Sequence, residues 1–193
     1  MPRDGSATFR ELRLPFVEIN KAYPENYSFR CVEVGVFKGL NAKKFLDGMN
    51  IEHAWLVDCW GHFENEPQTV SNHNIDKDPD FWKRTYEEVQ ALFQTYSNVT
   101  IVKAWSEEAV DIVPNDLDFV YLDADHTYDA SLKDIELWFP KIKTGGWLMG
   151  DDYMWDGTHR AVNEFVEKHN YILHSGSKNT QWWFIKNYDP GEK

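Results

Sequence analysis

The chain has 193 residues, 42% hydrophobic and 27% charged, enough for one domain with a sizeable core and unlike a disordered polymer. Lys and Arg number 20 against 32 Asp and Glu, a formal charge of −12, so most of the surface repels duplex nucleic acid and a general nucleic-acid binder is excluded. No apolar run approaches the roughly 18 residues of a transmembrane helix; residues 1–13 hold no signal-peptide core, and the expected compartment is the cytoplasm.

Residues 1–28 read as an N-terminal extension to a single domain over 1–193. Residues 30–36 (RCVEVGV) predict a first strand, and Gly39 leads into a helix over 40–49. Residues 54–57 (AWLV) predict a second strand ending in Asp58-Cys59-Trp60. The polar stretch 61–80 predicts a lid; its His62 and His73 lack the cysteines and spacing of a zinc site. Asp78-Pro79 predicts a helix start, with the helix over 80–95 and Trp82, Tyr86, Val89 and Phe93 on one face. Strands follow at 99–102 and 118–122 (DFVYL), with a short helix at 106–112 between them.

Tyr128, Leu132, Ile135 and Phe139 recur at helical spacing up to Pro140. Gly145-Gly146 predicts a turn into a strand at 147–150. A helix over 158–169 points Ala161, Val162, Phe165 and Val166 inward. Residues 171–174 and 181–186 predict a closing hairpin, with Trp182 and Trp183 on opposite faces: one in the core, the other at a dimer contact or under a helix. Cys31 and Cys59 lie too far apart along neighbouring strands for a disulfide and read as buried thiols. Nine Trp and 16% aromatic residues leave rings for both a core and a stacking site.

Strand-helix alternation followed by a hairpin predicts an α/β open sheet, mostly parallel, with helices on both faces. The ligand crevice of such sheets lies outside the carboxyl ends of the strands. Those ends are Gly35, Asp58, residues 104–106, Asp123 and Asp151, and three of them carry acids. Gly35 and Gly39, spaced G-x-x-x-G, allow a close backbone approach at a helix start, or simply a tight turn. Asp58 stands where a carboxylate grips a ribose diol, or caps a turn.

Four segments in order, E-V-G-V-F-K-G, L-V-D-C-W, V-Y-L-D-A-D-H and G-G-W-L-M-G-D-D-Y, resemble the motifs of class I S-adenosylmethionine-dependent methyltransferases. The nearest branch is the metal-dependent macrocin/aminocoumarin sugar O-methyltransferases. The resemblance spans residues 30–186 and implies a Rossmann-like seven-stranded sheet with an antiparallel C-terminal hairpin. It implies that Glu33, Gly35 and Gly39 line the methionine part of the cofactor and that Asp58 holds the ribose. Ala104, Trp105 and Ser106 would border the adenine, with Trp60 near it, and Asp123 would be a further cofactor-binding residue. Trp60 and Trp105 serve equally well as core aromatics.

Asp123, Asp125 and His126 end the fourth strand, and Asp151 and Asp152 the fifth. Parallel strands lie about 4.8 Å apart, so these carboxylates converge and repel unless a cation neutralises them. A hard divalent ion with oxygen ligands suits them, and Mg²⁺ leaves positions free. The spacing from Asp123 to Asp151 matches the metal ligands of the sugar and catechol branches. Asp152 stands where the catechol branch has Asn, which favours the sugar branch and a metal set of Asp123, Asp151 and Asp152. An ion on a hydroxyl lowers its pKa and fixes it in line with a sulfonium methyl; a base then takes the proton. His126 titrates near neutrality and is the first candidate; Asp125 is the rival.

Helix capping by Asp125-His126 and a plain turn at 151–153 are the structural alternatives. Tyr153, Trp155 and His159 are candidates for an acceptor wall. The expected partner is a small hydroxylated acceptor, with no nucleic acid, no membrane and a homo-oligomer left open. A non-catalytic cofactor-binding or assembly protein and a metal-free N-methyltransferase are the competing readings.

Overall fold

A computed structural model of the protein describes residues 12–61, 80–176 and 180–187. Seven strands form one sheet: β1 (Phe29–Val34), β2 (Ile51–Asp58), β3 (Val99–Lys103), β4 (Leu117–Leu122), β5 (Ile142–Gly150), β6 (His174–Ser175) and β7 (Trp182–Ile185). Their order is β3-β2-β1-β4-β5-β7-β6. β1 to β5 pair in parallel, and β7 runs antiparallel to both β5 and β6. The order reverses between β1 and β4, which places the ligand crevice of an open sheet at their carboxyl ends.

Helices α1 (Leu14–Ala22), α2 (Leu40–Gly48) and α3 (Phe81–Phe93) cover one face, and α4 (Ser106–Ile112), α5 (Tyr128–Trp138) and α6 (Asp156–His169) the other. Strand alternation feeds both layers: Cys31 and Tyr121 point to the first, Val32 and Val120 to the second. Among the described residues, no helix is long and apolar enough to cross a membrane.

The expected elements are present with revised edges. β2 starts at Ile51, and β5 absorbs the glycine pair that reads as a turn. Gly145 sits at φ +81, and its N–H donates to the Lys186 carbonyl at 2.7 Å. A Cβ on Gly146 would meet Ile142 Cγ2 at 2.5 Å. The pair therefore lets β5 kink and continue beside the last strand. Residues 171–173 are no strand, because Tyr171 N–H closes α6 on the Val166 carbonyl at 2.9 Å, after Asn170 in the left-handed region. Trp182 and Trp183 point to opposite faces as expected, but both are buried, at 1% and 7% exposure. Cys31 and Cys59 form no disulfide, as expected, and only Cys31 is fully buried. Asp80 precedes α3; Asp78-Pro79, His62, His73 and most of the 61–80 stretch lie outside the described residues.

α1 is the element with no counterpart in the sequence reading. It carries a proline in its first turn, where the missing N–H costs nothing. Phe16 and Ile19, one turn apart, are fully buried. The Phe16 ring lies 5.2 Å from Phe45, 5.7 Å from Phe119 and 4.9 Å from Tyr121. This packing fixes the preceding residue pair, 12–13, over the carboxyl ends of β4 and β5.

Candidate active site

The first half of the site forms where β1 and β2 end. Glu33 points inward and is 1% exposed. Its Oε1 accepts a 2.7 Å hydrogen bond from Asn41 Nδ2, on the first turn of α2. Glu33 Oε2 and Asn41 Oδ1 are both buried without a partner among the described residues. Two orphaned acceptors side by side ask for a ligand with several N–H donors. Burial pushes Glu33 up to about 8; the Asn41 bond opposes the rise and the Asp123 charge adds to it.

Asp58 ends β2, and its two oxygens receive the backbone N–H groups of Trp60 and Phe37, each at 2.8 Å. These bonds, with further hydrogen bonds from the Val36 backbone and the Cys59 side chain, tie the loop after β1 to the end of β2. Burial raises its pKa, and the backbone donors partly offset this. The glycines serve the protein's own packing. A Cβ on Gly35, at φ +87, would lie 2.1 Å from the Asp123 carbonyl oxygen, and one on Gly39, at φ +72, 2.7 Å from Phe93 Cε2. Gly35 thus lets the β1 loop and the β4 end touch, which brings the two halves together.

Trp60 is buried, packs with its ring tilted at 5.0 Å from Tyr86 and donates its indole N–H to the Phe37 carbonyl at 2.8 Å. Trp105 is 38% exposed and precedes α4, where Glu108 accepts its backbone N–H. Ala104 is half-buried beside it. The Ser106 hydroxyl donates to Asp134 and accepts from Trp138 Nε1, so this serine braces α4 against α5.

The second half lies at the ends of β4 and β5. Asp123, His126 and Asp152 each offer a ligand atom, all within 4.8 Å of one another. His126 Nε2 is 3.1 Å from Asp152 Oδ2. Asp152 holds a left-handed backbone at φ 55, a conformation uncommon outside glycine. Asp151 faces elsewhere: its Oδ2 lies 2.6 Å from Arg13 Nη1, and its Oδ1 accepts from Gln181 Nε2 at 3.2 Å. The same Arg13 nitrogen is 2.9 Å from Asp123 Oδ2 and donates to the Tyr121 hydroxyl. Burial works against the Arg13 charge, but Tyr121, Asp123 and Asp151 outweigh it and hold the guanidinium protonated. Burial pushes Asp123 up to about 6, with Arg13 pulling down and Asp151 pushing up. Asp152 is also raised, by burial against the pull of His126.

Asp125 Oδ1 accepts the Thr127 N–H at 2.8 Å, a turn just ahead of α5; the helix N-cap is Thr127, with no side-chain capping bond, so the capping alternative expected for Asp125-His126 is not what this bond provides. Trp155 is 48% exposed, with its ring 5.8 Å from His126. Tyr153 is buried and engages Asn163 at 3.0 Å, while His159 packs on it at 4.8 Å; of the three wall candidates, Trp155 is the one turned toward His126. Arg13, Asn41 and Tyr121 are the site groups that sequence reasoning missed. Asn41 carried a usable signal, its place on the first turn after the glycine loop; Arg13 carried none.

A sheet with this strand order, and acids at the ends of four adjacent strands, defines the class I methyltransferase fold. The methyltransferase-domain family matches residues 32–153, and the chain belongs to that family. An uncharacterised protein of Acanthamoeba polyphaga mimivirus is 36% identical over 130 residues, 63% of this chain and 50% of the relative. A Streptomyces olivaceus protein, 8-demethyl-8-(2,3-dimethoxy-alpha-L-rhamnosyl)-tetracenomycin-C 4'-O-methyltransferase, is 24% identical over 151 residues, 69% of this chain and 56% of the relative. The chain thus spans about half the length of the curated relatives it matches. The solved structure of the O-methyltransferase NovP superposes with a TM-score of 0.62 at 18% identity, covering 90% of this chain and 80% of that one.

Proposed function

We propose that this protein transfers a methyl group from S-adenosylmethionine to a hydroxyl of a small acceptor such as a sugar or sugar conjugate, assisted by a divalent ion, Mg²⁺ by its donor set. The observation that carries the reading is the orphaned pair Glu33 Oε2 and Asn41 Oδ1. Two buried acceptors, one on a carboxylate, suit the ammonium of the cofactor's methionine part. Asp58, at the end of β2, holds the ribose diol, and Ala104, Trp105 and Ser106 border the adenine, with Trp105 offering an exposed ring face. Gly35 and Gly39 shape the turn that holds these groups in place. When bound, the cofactor supplies a methyl group activated by a sulfonium.

The acid cluster fits a hard ion: oxygen donors dominate, and Asp123 and Asp152 already converge. Asp151 completes the set once its present partner leaves. The ion would supply a Lewis acid that makes a hydroxyl easier to deprotonate. His126 takes the proton. With Nε2–H turned to Asp152, Nδ1 is the nitrogen free to accept it, and the Asp152 carboxylate stabilises the resulting charge. Asp125, tied to the Thr127 N–H, is the rival base. Trp155 supports the acceptor ring beside His126.

The test is release of S-adenosylhomocysteine over a panel of sugars, glycosides and phenols, with Mg²⁺ or with EDTA. Acceptor-dependent release that EDTA abolishes, and that Asp152→Asn lowers at least tenfold, supports the proposal. Release only with amine acceptors, untouched by EDTA, overturns both the hydroxyl and the metal.

A further inference from the structure

Arg13 lies more than a hundred residues from the acids it meets. Its Nη1 is 2.6 Å from Asp151 Oδ2 and 2.9 Å from Asp123 Oδ2, and donates to the Tyr121 hydroxyl. One positively charged nitrogen thus touches three oxygens of β4 and β5 and their ends. This is the environment a small cation would select. The other oxygen of Asp151 accepts from Gln181 Nε2 at 3.2 Å, so both of its carboxylate oxygens are engaged while Arg13 stays.

The lever behind Arg13 is fixed. Phe16 and Ile19 are fully buried, so α1 holds its place while the side chain before it moves. Arg13 is extended at φ −64, ψ 150; its carbonyl accepts from the Phe16 and Val17 N–H groups, but its side chain makes no capping bond to the helix. Swinging it out therefore breaks its bonds to Asp123, Asp151 and Tyr121 and no helix contact. A Mg²⁺ at its usual ~2.1 Å from the same carboxylate oxygens would stand against the guanidinium, cation to cation. The two cannot share the same pair of oxygens, Asp123 Oδ2 and Asp151 Oδ2.

We propose that Arg13 is the resident counter-ion of this site. It holds Asp123 and Asp151 converged while no metal is bound, and it competes with the divalent ion for both, so that loading the site releases the Arg13 side chain. Arg13 is a positioning residue whose strength sets the ion concentration at which the site fills. The proposal rests on reading the acids as a metal site.

The experiment pairs calorimetric Mg²⁺ titration of wild type, Arg13→Gln and Arg13→Lys with the NMR side-chain Nε–H signal of Arg13, assigned by its loss in Arg13→Gln. The expected result is Mg²⁺ affinity at least tenfold higher in Arg13→Gln and intermediate or wild-type-like in Arg13→Lys. In wild type, the Arg13 signal should move to the position of exposed arginines as Mg²⁺ binds. Equal or weaker affinity in Arg13→Gln, or an unmoved signal with the ion bound, overturns the competition and leaves the metal site standing. No Mg²⁺ uptake by wild type or Arg13→Gln removes the metal site and the competition together. Near-ultraviolet circular dichroism confirms that each variant keeps its packing.

Discussion

Replacing Glu33 with glutamine should stabilise the free protein and cripple it as a cofactor binder. Burial pushes Glu33 from 4.5 up to about 8, so the folded state holds this proton more tightly than the unfolded chain. Stability from this group is therefore fully present below about pH 4.5 and is lost as pH rises toward 8. A shift of that size corresponds to about 4–5 kcal/mol once the carboxylate is fully ionised. Glu33→Gln removes the charge and keeps an acceptor for Asn41 Nδ2, while its new amide N–H can meet the orphaned Asn41 Oδ1. Urea unfolding should show the variant ahead by about 3 kcal/mol at pH 8.5 and by under about 1 kcal/mol at pH 5. S-adenosylmethionine should raise the melting temperature of wild type far more than that of the variant. A variant that is less stable at pH 8.5, or a gap that ignores pH, would refute the reasoning.

Three further substitutions probe separate supports. Gly35→Ala forces a Cβ to within 2.1 Å of the Asp123 carbonyl oxygen at a φ of +87, so it should cost more than about 3 kcal/mol in urea unfolding and disrupt both halves of the site. Phe16→Ala empties a fully buried position among Phe45, Phe119 and Tyr121 and should cost about 3–5 kcal/mol, measured by the same method. His126→Gln should lower turnover roughly 10²–10⁴-fold with cofactor affinity preserved, whereas Asp125→Asn should act mainly on the turn that leads into α5; the reverse ranking in initial rates would make Asp125 the base.

Strand and helix periodicity predicts the sheet that is present, and the glycine loop and strand-end acids direct the search for a site to the ends of β1, β2, β4 and β5. Those signals are local and repeat within a few residues, so they survive without coordinates. What escaped depends on contacts distant in sequence. α1 has only nine residues, too few for a helical period to stand out, and its fixing partners Phe45, Phe119 and Tyr121 lie far along the chain. Arg13 looked like one charge in a polar extension, and only the α1 packing carries it to Asp123 and Asp151. Gly145 and Gly146 misled because glycines that permit a strand bulge spell the same as glycines that make a turn. Trp183 was open to a surface reading because period-2 alternation does not say that both faces are covered.

Calorimetric titration of S-adenosylmethionine onto wild type and Asp58→Ala tests the central claim most directly. The account predicts one saturable site per chain in wild type and a loss of at least tenfold in affinity in the variant. A well-folded wild type that takes up neither S-adenosylmethionine nor S-adenosylhomocysteine would contradict it.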